Sequence, residues 1–173
     1  MRKFLKIYTV AGILFTIGVG SLAHFIYQWT GENPAAALFV PVNESTWEHL
    51  KLLFFPMMVY SLWEVALLHG KWPELFYADA AGVLTGMLSI IVLFYTYTGV
   101  LGRSFFPADL GVFCISVILA FLTSRRLLHK KAWPGAWKWP LLAAVTVCAI
   151  AFFFFTWNPP ELGLFRSPDS VFR

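Results

Sequence analysis

Four ionisable residues fall within eight positions of the segment Pro41-Val42-Asn43-Glu44-Ser45-Thr46-Trp47-Glu48-His49-Leu50-Lys51: Glu44, Glu48, His49 and Lys51. Imidazoles and carboxylates are the groups that ligate divalent metals, exchange protons near neutral pH and orient polar small molecules. Part of this set has a local role available. Ser45 and Glu48 match a capping box, in which hydroxyl and carboxylate satisfy free backbone N–H groups at a helix start. Acidic residues also suit that end of the helix dipole, and Glu48 and Lys51 can pair at i, i+3. His49 has no such role. Neither has His24, which continues the every-fourth-residue stripe of Gly12, Thr16 and Gly20. A residue on that stripe is expected to face other helices.

The elements that must position these groups are apolar runs. A helix needs about 20 predominantly apolar residues to span a bilayer. Five such runs occur, at about Ile7–Gln28, Thr46–His69, Ala80–Leu101, Ala108–Leu128 and Lys138–Trp157, followed by a tail over 158–173. Hydrophobic residues make up 59% of the chain and charged residues 13%, against roughly 45–50% and 25% in soluble domains. No soluble core of 173 residues could hide that much apolar surface, so the excess must face lipid. The expectation is one all-α integral membrane domain over 1–173, a multi-pass bundle of five transmembrane helices whose first partner is the lipid bilayer of the cell membrane.

Charge sets the expected orientation. Arg2, Lys3, Lys6, Lys71, Arg125, Arg126, Lys130, Lys131 and Lys138 fall on one side of the predicted spans, and only Arg103, Arg166 and Arg173 on the other. By the positive-inside rule the N-terminus is cytoplasmic and the C-terminus outside. Because the net charge of +4 is scattered among short loops, it forms no nucleic-acid surface. The first run resembles a signal peptide, with Ser21-Leu22-Ala23 as a cleavage-like triplet, but its apolar stretch continues to Tyr27 and a retained helix is expected. The basic loop from Arg125 to Lys138 is expected to meet anionic lipid.

Depth along the helices then groups the polar residues. His24 comes about 6 Å inside the outer end of the first helix at 1.5 Å per residue, close to the level of His49 and Lys51. His24, Glu44, Glu48, His49 and Lys51 are therefore expected to converge in one outward-facing pocket, with Arg103 and Asp109 contributed by the loop between the third and fourth helices. His24, His49 and Glu48 are the candidate metal ligands. Glu64 follows His49, Leu53, Pro56 and Tyr60 along one helical stripe, about 22 Å further on, and is expected to view the bundle interior from its other end. If buried, it needs a partner or a proton. Between Leu141 and Trp157 the last helix has no acidic, basic or imidazole side chain and so offers no carboxylate or histidine ligand.

Pro41-Val42-Asn43-Glu44-Ser45, Trp47-Glu48-His49-Leu50-Lys51 and Phe54-Phe55-Pro56 resemble the signature of an uncharacterised family of small bacterial multi-pass membrane proteins. The tail from Asn158-Pro159-Pro160 to Leu164-Phe165 is similar to the end of that family's sequences. The resemblance implies a bacterial cytoplasmic membrane and carries no established activity. A more limited likeness is to the adiponectin-receptor and ceramidase superfamily, where an Asn-Glu-Ser/Thr segment also precedes a Trp and a His-Leu pair. Those proteins are seven-helix zinc hydrolases with a His-x-x-x-His pair in a late helix. This chain has five predicted spans and no such pair, so that metal site is not carried over.

The favoured expectation is a binding or transport module that holds a small molecule or ion in the outward-facing pocket, with no particular cofactor indicated. Five helices are few for alternating access, so a homo-oligomer or a membrane partner is expected. The alternatives are a structural or partner subunit of a membrane complex and a membrane-embedded metal-dependent hydrolase. Phosphate-binding glycine loops, Ser-His-Asp order signals and dinucleotide fingerprints are all absent, which places enzymes behind binding proteins.

Overall fold

In the computed structural model residues 2–68, 72–128 and 135–167 are described. His69, Lys71, Lys130, Lys131 and Arg173, which entered the topology argument, lie outside them. The described residues are helical, with no strand. They form α1 (Arg2–Trp29), the short α2 (Pro34–Ala37), α3 (Thr46–Leu68), α4 (Leu75–Leu101), α5 (Phe106–Leu128) and α6 (Lys138–Trp157), with single 3-10 turns at Gly135–Trp137 and Gly163–Phe165. Five of the helices are long and apolar enough to cross a membrane.

Two boundaries differ from the sequence reading. Helix α1 starts at Arg2 rather than near Ile7, and α4 at Leu75 rather than near Ala80. Hydropathy marks where a chain prefers lipid, whereas backbone hydrogen bonding continues through polar residues whose side chains find partners. Asp79 is the instructive case. It sits inside α4 and is only 1% exposed.

Helix α3 is the hub, with Leu50, Leu53, Phe54, Met57 and Tyr60 buried in the main core. Helices α1, α4 and α6 pack against it, and α4 and α5 pair along their lengths. Small residues permit the close approaches. A Cβ on Gly82 would come 2.5 Å from the Ala120 carbonyl oxygen, and one on Gly86 would meet Leu53 and Ala120 within 2.9 Å. On α1, Gly12 faces Phe121 and Tyr60, Thr16 is fully buried, and Gly20 abuts the Leu52 carbonyl and Phe113. With little hydrophobic drive between helices in lipid, such dispersion contacts carry much of the association.

Helix α6 is peripheral. Val145 and Phe152 are its buried residues, while Val147, Ile150, Phe154 and Trp157 stay exposed. The chain then returns to the bundle, setting Phe165 against Trp47 with ring centroids 4.9 Å apart and against Phe155 at 5.3 Å.

Candidate functional site

The site is built at the start of α3. The Asn43 side chain accepts from the Ser45 N–H at 2.9 Å, and the Ser45 hydroxyl accepts from the Glu48 N–H at 3.3 Å. That is one half of a capping box. The other half does not form, because the Glu48 carboxylate turns away from Ser45 and accepts from the Val42 N–H at 3.0 Å and from Lys51 Nζ at 2.7 Å. Lys51 also donates to the Ala37 carbonyl at 2.9 Å and to the Thr156 hydroxyl at 2.6 Å. All three ammonium donors are thereby used.

Lys51 is 0% exposed and Glu48 2%. A charge that deep must be paired and hydrogen-bonded, and this pair joins α2, the following loop, α3 and α6. Glu48 and Lys51, expected among the pocket's ligands, form instead a closed and satisfied pin beside it.

With Glu48 so occupied, Glu44 supplies the carboxylate beside the imidazoles. Its oxygens lie 3.7 Å from His24 Nε2 and 3.4 Å from His49 Nε2. The two rings stand 5.3 Å apart at 38°, and one ligand atom from each of His24, Glu44 and His49 can be chosen so that all lie within 4.8 Å of one another. Of the expected metal ligands His24, His49 and Glu48, the histidines converge and Glu44 takes the place given to Glu48.

His49 Nδ1 sits 2.9 Å from the Ser45 carbonyl. Donation there fixes the ring and leaves Nε2 to face Glu44. The side chains of His24 and His49 are partly exposed and that of Glu44 is 67% exposed, so the group opens at its carboxylate. The hydrogen bond from His49 holds the Glu44 carboxyl below its ordinary value, against burial and with help from the charges of His49 and His24.

A second carboxylate stands close. Asp109, at the start of α5, accepts from the Tyr97 hydroxyl of α4 and lies within Coulombic reach of His49 and Glu44. Arg103 is not drawn in; it is exposed in the turn between α4 and α5.

Glu64 belongs to a separate cluster at the other end of the bundle. There Arg125 Nη2 donates to both Glu64 oxygens, at 2.8 and 2.7 Å, and Arg125 Nε donates to the Thr9 hydroxyl at 3.0 Å. Arg125 Nη1 is 3.8 Å from Asp79 Oδ1, and Ser61 and Ser124 are hydrogen-bonded to the same carboxylate. Arg125 is only 7% exposed, so its charge is spent inside the bundle and is not free for the anionic lipid that the basic loop was expected to meet.

Asp79 and Arg125 were both missed as site residues. For Asp79 a signal existed. It stands three and seven residues before Gly82 and Gly86, on the face those glycines press against α5.

A family model described as "Family of unknown function (DUF6512)" matches residues 2–171. No curated protein and no solved structure matches the chain.

Proposed function

The chain belongs to that family of unknown function, and from this premise we propose that it binds a divalent transition-metal ion, zinc being the best chemical match, as a membrane binding or transport module. The observation that carries the reading is the convergence of His24, Glu44 and His49, from α1, the loop and α3, to ligand-atom separations within 4.8 Å.

Two imidazoles and one carboxylate suit zinc and its neighbours better than magnesium or calcium, which prefer oxygen ligands. Ligand bonds of about 2.0–2.1 Å in a tetrahedron put ligand atoms about 3.3 Å apart. The His24–Glu44 and His49–Glu44 distances of 3.7 and 3.4 Å are already near that spacing. A cation would take the place of the proton between His49 and Glu44, while the Ser45 carbonyl keeps the His49 ring in orientation. The fourth position is open to water, to Asp109 or to a cargo ligand. The distribution of loop charges supports a mouth on the outer face, with the N-terminus inside.

The test is calorimetric titration of Zn²⁺ into the full chain in lipid nanodiscs. One equivalent should bind, and His24→Ala, His49→Ala and Glu44→Gln should each weaken it by at least about tenfold. Undiminished binding in the triple variant would sink the assignment. Zinc flux in proteoliposomes then separates a carrier from a static binding protein.

A further inference from the structure

The cluster at the opposite end of the bundle plays no part in cation binding, yet its charges do not balance. Glu64 is 0% exposed and Asp79 1%, and they share the guanidinium of Arg125. Around them α1 contributes the Thr9 hydroxyl, α3 the hydroxyl of Ser61 and the phenol of Tyr60, which donates to the Tyr8 carbonyl at 2.6 Å, and α5 Ser124 beside Arg125. No second cation faces the group among the described residues. Among the described residues, two carboxylates against one guanidinium leave an unmatched negative charge within the span of the membrane. An isolated buried carboxylate there costs far more than taking up a proton.

We propose that Glu64, Asp79 and Arg125 form a proton-binding site that holds one exchangeable proton, carried by Asp79. The geometry distinguishes the two acids. Glu64 receives both its hydrogen bonds from one guanidinium nitrogen, at 2.8 and 2.7 Å, which is the arrangement of an ionised carboxylate. Asp79 stands 3.8 Å from the nearest guanidinium nitrogen and otherwise meets the hydroxyls of Ser61 and Ser124. A hydroxyl accepts as readily as it donates, so either serine can take the hydrogen bond of a neutral Asp79. Arg125 Nη1 makes no hydrogen bond, so the guanidinium acts on Asp79 only as a charge 3.8 Å away.

Helices α1, α3, α4 and α5 all contribute to this site, so proton loss would unbalance the contact that ties them together. The proton site stands whether or not the cation reading holds.

Infrared spectroscopy of the full chain in nanodiscs reads the proton directly. At neutral pH a carboxylic-acid C=O band that shifts in D₂O should be present and should disappear in Asp79→Asn. Absence of the band in the wild-type chain, or its survival in Asp79→Asn, overturns the proposal. Should Asp79→Asn fail to fold, ¹³C-aspartate labelling of the Asp109→Asn variant replaces it. That leaves Asp79 and the tail residue Asp169 as the labelled side chains. An isotope-shifted acid band then supports a protonated Asp79, and an unshifted band or none overturns it.

Discussion

Lys51 Nζ lies 2.7 Å from Glu48 Oε2, with 0% and 3% of the two side chains exposed. Removing one partner strands the other charge, so Lys51→Met should destabilise the folded state by about 3–5 kcal/mol. Glu48→Gln combined with Lys51→Met should recover much of that loss, since no lone charge then remains. Reversible unfolding in mixed micelles measures both. A double variant as unstable as Lys51→Met would show that the ammonium is needed for the Ala37 and Thr156 contacts rather than for neutralising Glu48.

Glu44 should titrate differently once His49 is gone. Its carboxyl is held below the ordinary glutamate value chiefly by the His49 hydrogen bond. A depressed carboxylate contributes stability that is present above its unfolded value and lost as pH falls through the folded one. The Glu44 contact should therefore be intact at neutral pH and fail only on strong acidification. His49→Ala should move the Glu44 midpoint upward, readable from carboxyl ¹³C shifts. An unmoved midpoint would mean that the pairing is absent in the membrane.

The α1 interface can be probed with two glycines two residues apart. A Cβ at Gly20 would overlap the Leu52 carbonyl and approach Phe113 within 2.7 Å, whereas at Gly18 nothing lies within 4 Å. Gly20→Ala should cost about 1–3 kcal/mol as an overpacked contact. Gly18→Ala should be neutral or slightly stabilising, because alanine is the better helix former. Equal effects at the two positions would contradict the packing of α1 on α3.

Arg103 supplies a negative control. It is exposed in the α4–α5 turn, so Arg103→Ala should leave zinc affinity within about twofold, since exposed charges act weakly through water. A tenfold change would bring the turn back into the site.

Much of the candidate site was readable in advance, for identifiable reasons. His24 lies on the Gly12–Thr16–Gly20 stripe, and a helical period carries that face inward wherever the glycines pack. His49 was singled out because capping left it without a role. The exchange of parts between Glu44 and Glu48 was not readable. Both acids stand near the same helix start, and the choice depends on Lys51 drawing Glu48 inward toward Ala37 and Thr156. Thr156 belongs to α6, 105 residues away in the chain. The pairing of Glu64 with Arg125 was equally hidden, because a basic residue near a helix end reads as a topology signal until the packing brings a carboxylate to it.

By itself the sequence determined the solvent of this protein and the number of its long helices, because apolar runs of spanning length have no other stable environment. It also determined that acids and imidazoles would crowd at the start of α3. Tertiary structure alone decided which of them are partners. A buried charge is governed by the groups within a few ångströms, and those arrive from helices remote in the chain. Lys51 and Arg125 each close on a carboxylate out of water, and His24, Glu44 and His49 are left together at the mouth.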